Sequence, residues 1–114
     1  MSNVSFGKRE RVRFQAEGSL NQWRPDGVPA VYAITYKQDA LTRPKSHTVL
    51  FFGECENPAA EAPNINKDFE QWCNKYAKFS ELYVFTHQMP GSSKFERARV
   101  THSLVLEYDP QAND

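Results

Sequence analysis

The 114-residue chain lacks the features that tie a protein to a membrane, a disulfide scaffold or a zinc cluster. No apolar run approaches the roughly 18 residues that a membrane-spanning helix needs. Cysteine occurs only at Cys55 and Cys73, and no C-x-x-C pattern accompanies it. Residues 1–14 contain no apolar segment of the kind found in signal peptides. We therefore expect a cytoplasmic protein with reduced thiols and no membrane partner.

The chain also lacks a net charge. Lys plus Arg and Asp plus Glu both number 14, so no overall field favours nucleic acid or an anionic membrane. The distribution is uneven, because residues 1–50 carry eight basic and four acidic side chains, whereas the remainder carries six and ten. A basic first half is compatible with a phosphate-bearing partner but does not require one.

Three segments have the composition of β-strands. Residues 30–37 and 81–89 are rich in β-branched and aromatic side chains. Residues 48–54 form a continuous apolar run, which predicts a strand that is buried on both faces in the middle of a sheet. Residues 8–14 alternate charged with apolar side chains, a pattern typical of an edge strand or a short arm.

Two further segments have helical patterns. Apolar residues recur at helical spacing from Ile65 to Tyr76, after a proline-containing loop over 57–64. Ser93 and Glu96 have the spacing of a capping box, which predicts a helix over residues 94–108. The Asp-Pro pair that follows should end this helix.

The order of these elements predicts an α+β fold that packs as a single domain. Helices should flank a small antiparallel or mixed sheet of three or more strands. Residues 1–27 are expected to form an N-terminal arm or strand with its loop, and residues 28–114 the main domain.

Two of the predicted strands carry short motifs, AVY at residues 30–32 and FFG at residues 51–53. These motifs, with the C-terminal stretch, resemble those of the GIY-YIG nuclease superfamily over residues 28–114. The resemblance implies a β-β-α-β-α order of elements in the main domain. The C-terminal residues that carry it are Leu104, Val105, Tyr108, Pro110 and Asn113.

GIY-YIG enzymes cut phosphodiester bonds with one divalent metal ion, and the resemblance assigns roles accordingly. Tyr32 matches the tyrosine near the attacking water, and Phe51 stands where the second tyrosine belongs. Thr101 stands where the family has the glutamate that holds the metal. The chemistry needs a carboxylate for a hard cation and a fixed positive charge for the developing charge on phosphate.

Most of these groups are changed here. Phe51 has no hydroxyl, and Thr101 has no carboxylate to offer Mg²⁺. No arginine occurs between Arg43 and Arg97, so the nearest cationic substitute is Lys67, which lacks the bidentate fork of arginine. We therefore expect that metal-dependent cleavage has been lost and that no cofactor is needed. Mg²⁺ or Mn²⁺ would be used only by a divergent active enzyme.

Several side chains have two interpretations at this point. Glu54 is either a substitute carboxylate pointing to the site or a surface residue. Tyr32 is either a site residue or a cross-strand packing residue, and Cys55 is either a reactive thiol or a small packing residue. His102 either lines the groove beside Thr101 or lies on an exposed helix surface.

A set of basic side chains would surround the substrate groove of a GIY-YIG-like fold. Together with Trp23, Tyr36 and Tyr83 they could hold a phosphate backbone without cutting it. The first hypothesis is thus a binding module for DNA or RNA. The alternatives are a divergent active endonuclease and a protein-interaction domain that keeps only the scaffold. The predicted substrate-binding residues are Arg24, Lys37, Gly53, Lys94, Arg97, Arg99 and His102.

Overall fold

Within the residues that the structure describes, the fold is a five-stranded sheet with two helices. The computed structural model describes residues 3–8, 11–37, 47–76 and 82–113. The predicted α+β class is confirmed. The elements are β1 (Asn3–Phe6), β2 (Val12–Ser19), β3 (Ala30–Lys37), β4 (His47–Cys55), α1 (Pro58–Tyr76), β5 (Leu82–Gln88) and α2 (Lys94–Tyr108), with 3₁₀ turns at Leu20–Gln22 and Gln111–Asn113. The strand order is β1-β2-β5-β3-β4, and every pairing is antiparallel.

The two helices cover opposite faces of this sheet. Successive side chains of a strand point to opposite faces, so β3 contributes to two separate cores. Tyr32 packs in one core with Phe69 of α1. Val31 and Ala33 pack in the other with Leu104 of α2. We call the two sides the α1 face and the α2 face.

The apolar strand β4 lies at the edge of the sheet. The prediction that it runs through the middle is wrong, because β3 is its only strand neighbour among the described residues. Leu50 and Phe52 are nevertheless buried, since one points to the α1 face and the other to the α2 face. The side-chain amide of Asn113 covers the free edge: Phe52 N–H donates to Asn113 Oδ1 at 2.9 Å, and Asn113 Nδ2 donates to the Phe52 carbonyl at 3.0 Å. The apolar run therefore indicated covered faces, not two neighbouring strands.

Helix α1 begins at Pro58, well before the predicted start, so the prediction of a loop over 57–64 is wrong. Proline suits the first helical position, because its missing N–H would have no helical partner there. Pro63 lies inside the helix and removes one backbone hydrogen bond near its start. Ile65 and Phe69 are buried as the helical spacing predicts. The side chains at 72–76 lie outside the described residues.

The N-terminal strands extend the sheet beyond the predicted main domain. Val12 and Phe14 of β2 are buried on the α2 face, as the alternation indicates. The edge-strand prediction for this segment is wrong, because β2 lies between β1 and β5. Alternation of charged and apolar residues indicates only that one face of a strand is solvated. An interior strand of an antiparallel sheet can also have a solvated face.

Helix α2 follows its sequence pattern closely. It spans Lys94–Tyr108, and the predicted capping box is confirmed. Ser93 N–H donates to Glu96 Oε1 at 2.9 Å, and Glu96 N–H donates to Ser93 Oγ at 3.1 Å. Asp109 ends the helix in the left-handed conformation, with φ of 45°. Strands β3 and β5 also lie where their composition predicts.

Candidate functional site

Tyr32 lies where two open cavities meet on the α1 face. The first, the Tyr32 cleft, has a volume of about 380 Å³ and lies where β4 ends, α1 starts and α2 starts. The second, the aromatic pocket, has a volume of about 270 Å³ and lies between the sheet, α1 and the C-terminal 3₁₀ turn. Tyr32 and Ile65 line both cavities. The Tyr32 cleft is further lined by Glu54, Cys55, Glu56, Asn57, Glu61, Lys94 and Arg97, and the aromatic pocket by Phe51, Asp68, Phe69 and Ala112.

The glycine of the second motif makes room for the tyrosine of the first. Gly53 lies directly opposite Tyr32 in the β3–β4 register. A Cβ atom at this position would lie 2.6 Å from the Tyr32 hydroxyl oxygen and 2.6 Å from Cε2 of Phe51. Any side chain here would push both rings away. Gly53 therefore shapes the site by lacking a side chain.

The Tyr32 hydroxyl is held in a buried and anionic environment. The side chain is 7 % exposed and lines both cavities. Burial raises the pKa of the Tyr32 phenol well above its usual range, and the nearby Cys55, Glu54, Glu61 and Asp68 raise it further. The phenol is therefore neutral near pH 7 and is a poor proton acceptor.

A buried ion pair occupies one wall of the Tyr32 cleft. Arg97 is only 2 % exposed, and its Nε donates a hydrogen bond to Glu54 Oε1 at 2.9 Å. Its Nη1 donates to the carbonyl of Ser92 at 2.7 Å and to Ser92 Oγ at 3.0 Å. These bonds join the start of α2 to the end of β4. The guanidinium and the Glu54 carboxylate are thus bonded to each other, which makes both groups less available to a ligand.

Thr101 does not line either cavity. Its hydroxyl donates to the Arg97 carbonyl at 2.9 Å within α2. This helix packs on the α2 face, through Leu104 and its neighbours, whereas Tyr32 belongs to the core on the α1 face. The structure therefore does not bring Thr101 to the cavities that Tyr32 lines.

The predicted basic residues are only partly brought together. Lys94 and Arg97 reach the Tyr32 cleft. Lys67 is exposed on α1 and does not line the described cavities beside Tyr32. Arg24 lines a separate cavity beside Trp23, and its Nη1 donates to the Trp23 carbonyl at 3.0 Å.

Two more of the predicted residues lie away from Tyr32. Arg99 and His102 are exposed on α2, on the far side of the sheet. The side chain of Lys37 lies outside the described residues. The predicted basic ring around Tyr32 is thus reduced, within the described part of the chain, to one buried arginine and one exposed lysine.

The donor atoms near Tyr32 do not fit the divalent ion that the resemblance implies. Glu54 is bonded to Arg97, and the Thr101 hydroxyl is bonded within its own helix. In the described ranges, no group of three or more His, Cys, Asp or Glu side chains could hold a metal ion. We therefore derive no chemical step through a metal at this site.

Cys55 is a packing residue of the α1 face. Its side chain is buried, and burial, together with Glu54 and Glu61, raises the pKa of the Cys55 thiol to about 11 against the lowering effect of Arg97. The thiolate is the reactive form, so this cysteine stays protonated and inert near pH 7. Of the two interpretations, the structure supports packing.

Three acidic residues of the site were missed in the sequence: Glu56, which follows β4, and Glu61 and Asp68 of α1. Glu61 and Asp68 lie with Ile65 on the face of α1 that points to Tyr32. Their spacing of i, i+4 and i+7 is the signal that would have found them. It was hidden because Glu61 falls in the stretch where proline suggested a loop.

Comparison with known proteins gives no relative from which a role could be carried over. No protein-family model, curated protein or solved structure matches this chain. Among the helices that the structure describes, none is long and apolar enough to cross a membrane. The GIY-YIG assignment therefore stays a prediction.

Proposed function

We propose that this chain is a GIY-YIG-like domain that binds nucleic acid without cleaving it. The order β3-β4-α1-β5-α2, with β3 paired to both β4 and β5, supports the scaffold. So do the pairing of Tyr32 with Gly53 and the contact of the C-terminal Asn113 with Phe52 of the second motif. Each of these contacts joins segments that the resemblance had singled out.

The Arg97–Glu54 pair is the observation that carries the loss of cleavage. A metal-dependent nuclease needs a carboxylate free for the metal and a cation free for the phosphate. Here the two groups neutralise each other at 2.9 Å, beside a phenol that stays neutral. Glu56 and Glu61 add further negative charge to the same cleft, which disfavours a phosphodiester there.

The surface that supports nucleic-acid binding lies on α2 instead. Phe95 is 77 % exposed and Leu106 is 70 % exposed on this helix. Arg99 and His102 lie between them at helical spacing, so the four residues share one side of the helix. We call this stripe the outer α2 face. An exposed aromatic ring beside basic groups is the arrangement that stacks on a base and contacts the phosphates of a single strand.

Binding is tested with a labelled oligonucleotide of about 15 nucleotides, by fluorescence anisotropy at low and at physiological salt. We expect binding that weakens with salt and prefers single strands to duplex. Phe95→Ala should weaken binding about tenfold, since stacking contributes about 1–3 kcal/mol per base. Leu106→Ala is the matched control, because it removes an equally exposed side chain that cannot stack. No binding at low salt would overturn the proposal.

Cleavage is tested separately by nicking of supercoiled plasmid with Mg²⁺ or Mn²⁺. We expect no nicking above the level of a metal-only control. The alternative of a divergent active endonuclease requires nicking that is lost in Tyr32→Phe, the substitution that removes only the phenol oxygen.

A protein-interaction domain is the second candidate, and the exposure of Leu106 favours it. An aliphatic side chain at the end of the stripe cannot stack on a base, whereas a protein partner would bury it together with Phe95. Binding to a protein partner would be weakened by Phe95→Ala and by Leu106→Ala alike. The pair of variants therefore separates the two candidates.

A further inference from the structure

The aromatic pocket points to a second ligand, and we infer that it binds an organic cation whose head is an alkylammonium group. This site lies on the α1 face, whereas the outer α2 face lies on the other side of the sheet. The inference goes beyond nucleic-acid binding and does not depend on it.

The walls of the pocket are suited to a soft cation. The ring centroids of Tyr32 and Phe51 lie 5.9 Å apart with a tilt of 37°. Those of Phe51 and Phe69 lie 5.3 Å apart at 62°. Three rings thus meet around a cavity of about 270 Å³, which accommodates a small alkylated head group. Aromatic faces carry partial negative charge, and quaternary ammonium ions are their characteristic ligands.

The charges around the pocket select a cation over an anion. Asp68 lines the pocket itself, and Glu56 and Glu61 lie in the adjoining Tyr32 cleft. Among the residues that the structure describes, the cations facing the same space are Lys94, which is exposed, and Arg97, which is already paired with Glu54. The same negative surroundings contribute to the raised pKa of Tyr32. A phosphate or carboxylate would be repelled, whereas an ammonium group would be attracted.

The neutral Tyr32 hydroxyl adds a polar contact at the junction of the two cavities. It belongs to a side chain that is more than nine-tenths buried, lies against Gly53 and lines both cavities. Its oxygen can accept a hydrogen bond from an ammonium N–H or from a hydroxyl carried on the ligand chain. This polar atom distinguishes the site from a purely apolar gap in the packing.

The direct test compares a cation with its neutral isostere on the unaltered protein. Choline and 3,3-dimethylbutanol have the same shape and differ in the positive charge. N-acetyl-trimethyllysine amide and its uncharged carbon isostere form the second pair. Each is titrated into ¹⁵N-labelled protein, and shifts of the amides around Phe51, Ile65 and Asp68 are followed. We expect each cation to bind about tenfold more tightly than its isostere.

The two pairs also distinguish the source of the ligand. Tighter binding of the lysine derivative than of choline would indicate a modified side chain of a partner protein, and the reverse would indicate a free small molecule. Either result supports the inference. Equal binding of cation and isostere would overturn it, as would the absence of saturable shifts in the pocket with both cations.

Substitutions in and outside the aromatic pocket test which residues bind the cation. Asp68→Asn should weaken cation binding several-fold, whereas Glu70→Gln, an exposed change on the same helix outside the pocket, should not. Phe51→Leu keeps the pocket apolar and should reduce the preference for the cation over its isostere. Phe95→Leu is its matched control and should affect only the oligonucleotide. Because Asp68 and Glu70 are both exposed, their substitution leaves the core intact, and the test survives even if Phe51→Leu fails to fold.

Discussion

The two faces of the sheet use aromatic side chains in different ways. On the α2 face, Phe6 lies 5.1 Å from Phe14, 5.5 Å from Phe52 and 5.8 Å from Tyr108, measured between ring centroids. Phe14 and Phe52 are almost completely buried in this cluster. On the α1 face, the rings of Tyr32 and Phe51 border open cavities. The same residue types therefore stabilise the fold on one side and form a candidate binding surface on the other.

The cluster on the α2 face is also where the N-terminal segment is attached. Tyr108 accepts a hydrogen bond from Gly7 N–H at 2.9 Å, and Glu107 accepts from Lys8 N–H at 2.9 Å and 3.0 Å. These contacts join residues about 100 positions apart in the chain. They explain why the N-terminal residues belong to the sheet and do not form a separate arm.

The largest expected difference between the two faces is tested with two neighbouring residues of β4. Phe52→Ala should destabilise the protein by about 3–5 kcal/mol, because it leaves a cavity in a closed core. Phe51→Ala removes the same atoms from a partly exposed ring beside open space, so its cost should be clearly smaller. Urea unfolding followed by circular dichroism measures both. Equal costs would show that the α1 face is as closed as the α2 face.

Disrupting the Arg97–Glu54 ion pair should have the next largest effect on the free energy of unfolding. Glu54→Gln leaves the Arg97 guanidinium buried without its carboxylate, and we expect a loss of about 3 kcal/mol in the free energy of unfolding. The double variant Glu54→Gln with Arg97→Met should recover much of this loss, because no buried charge then remains. If the double variant is less stable than Glu54→Gln, the pair is not the source of the cost.

Filling the space over Gly53 should damage the α1 face selectively. Gly53→Ala places a Cβ atom 2.6 Å from the rings of Tyr32 and Phe51, and overpacking of this kind costs about 1–3 kcal/mol. The displaced rings should also abolish cation binding while oligonucleotide binding on the outer α2 face persists. Gly27→Ala serves as the control, since its nearest neighbour is the flexible side chain of Asn57 at 3.3 Å. Unchanged unfolding and cation binding in Gly53→Ala would contradict the steric argument.

Removing the N-terminal cap of α2 should have the smallest effect on the free energy of unfolding. Ser93→Ala should cost about 1 kcal/mol, since it removes the acceptor for the Glu96 N–H. Hydrogen bonds from Ser93 lower the pKa of Glu96 below its usual value of 4.5. The contribution of this carboxylate is therefore present above about pH 4.5 and is lost as the pH falls through the lowered pKa. The difference between the wild type and Glu96→Gln should shrink accordingly in acid, and a difference that grows would contradict the assigned sign.

Local patterns in the sequence predicted the elements whose causes are local. The capping box at Ser93 sets the start of α2, and alternating or β-branched residues set β3 and β5. The start of α1 was missed because proline usually breaks a helix, although it is compatible with the first turn. The edge position of β4 was missed because burial by two helices leaves the same apolar run as burial between two strands.

The candidate site could be predicted only in part, because its composition depends on which face each helix covers. The motif resemblance identified Tyr32 and Gly53, which face each other on paired strands, and Asn113, which bonds to the neighbouring Phe52. Spacing along α2 could not show that Arg97 lines the cleft while Thr101, one turn later, does not. That difference is set by where the helix crosses the end of β4, which is a property of the tertiary packing.

The most direct test of the account is the fate of supercoiled plasmid and its denatured single strands with the protein, Mn²⁺ and low salt. Mobility shift and strand integrity are read from the same samples before and after removal of the protein. We predict that single strands are retarded in the presence of protein and recovered intact, with the shift reduced in Phe95→Ala. Recovery of cut strands from the wild-type protein but not from Tyr32→Phe would contradict the account.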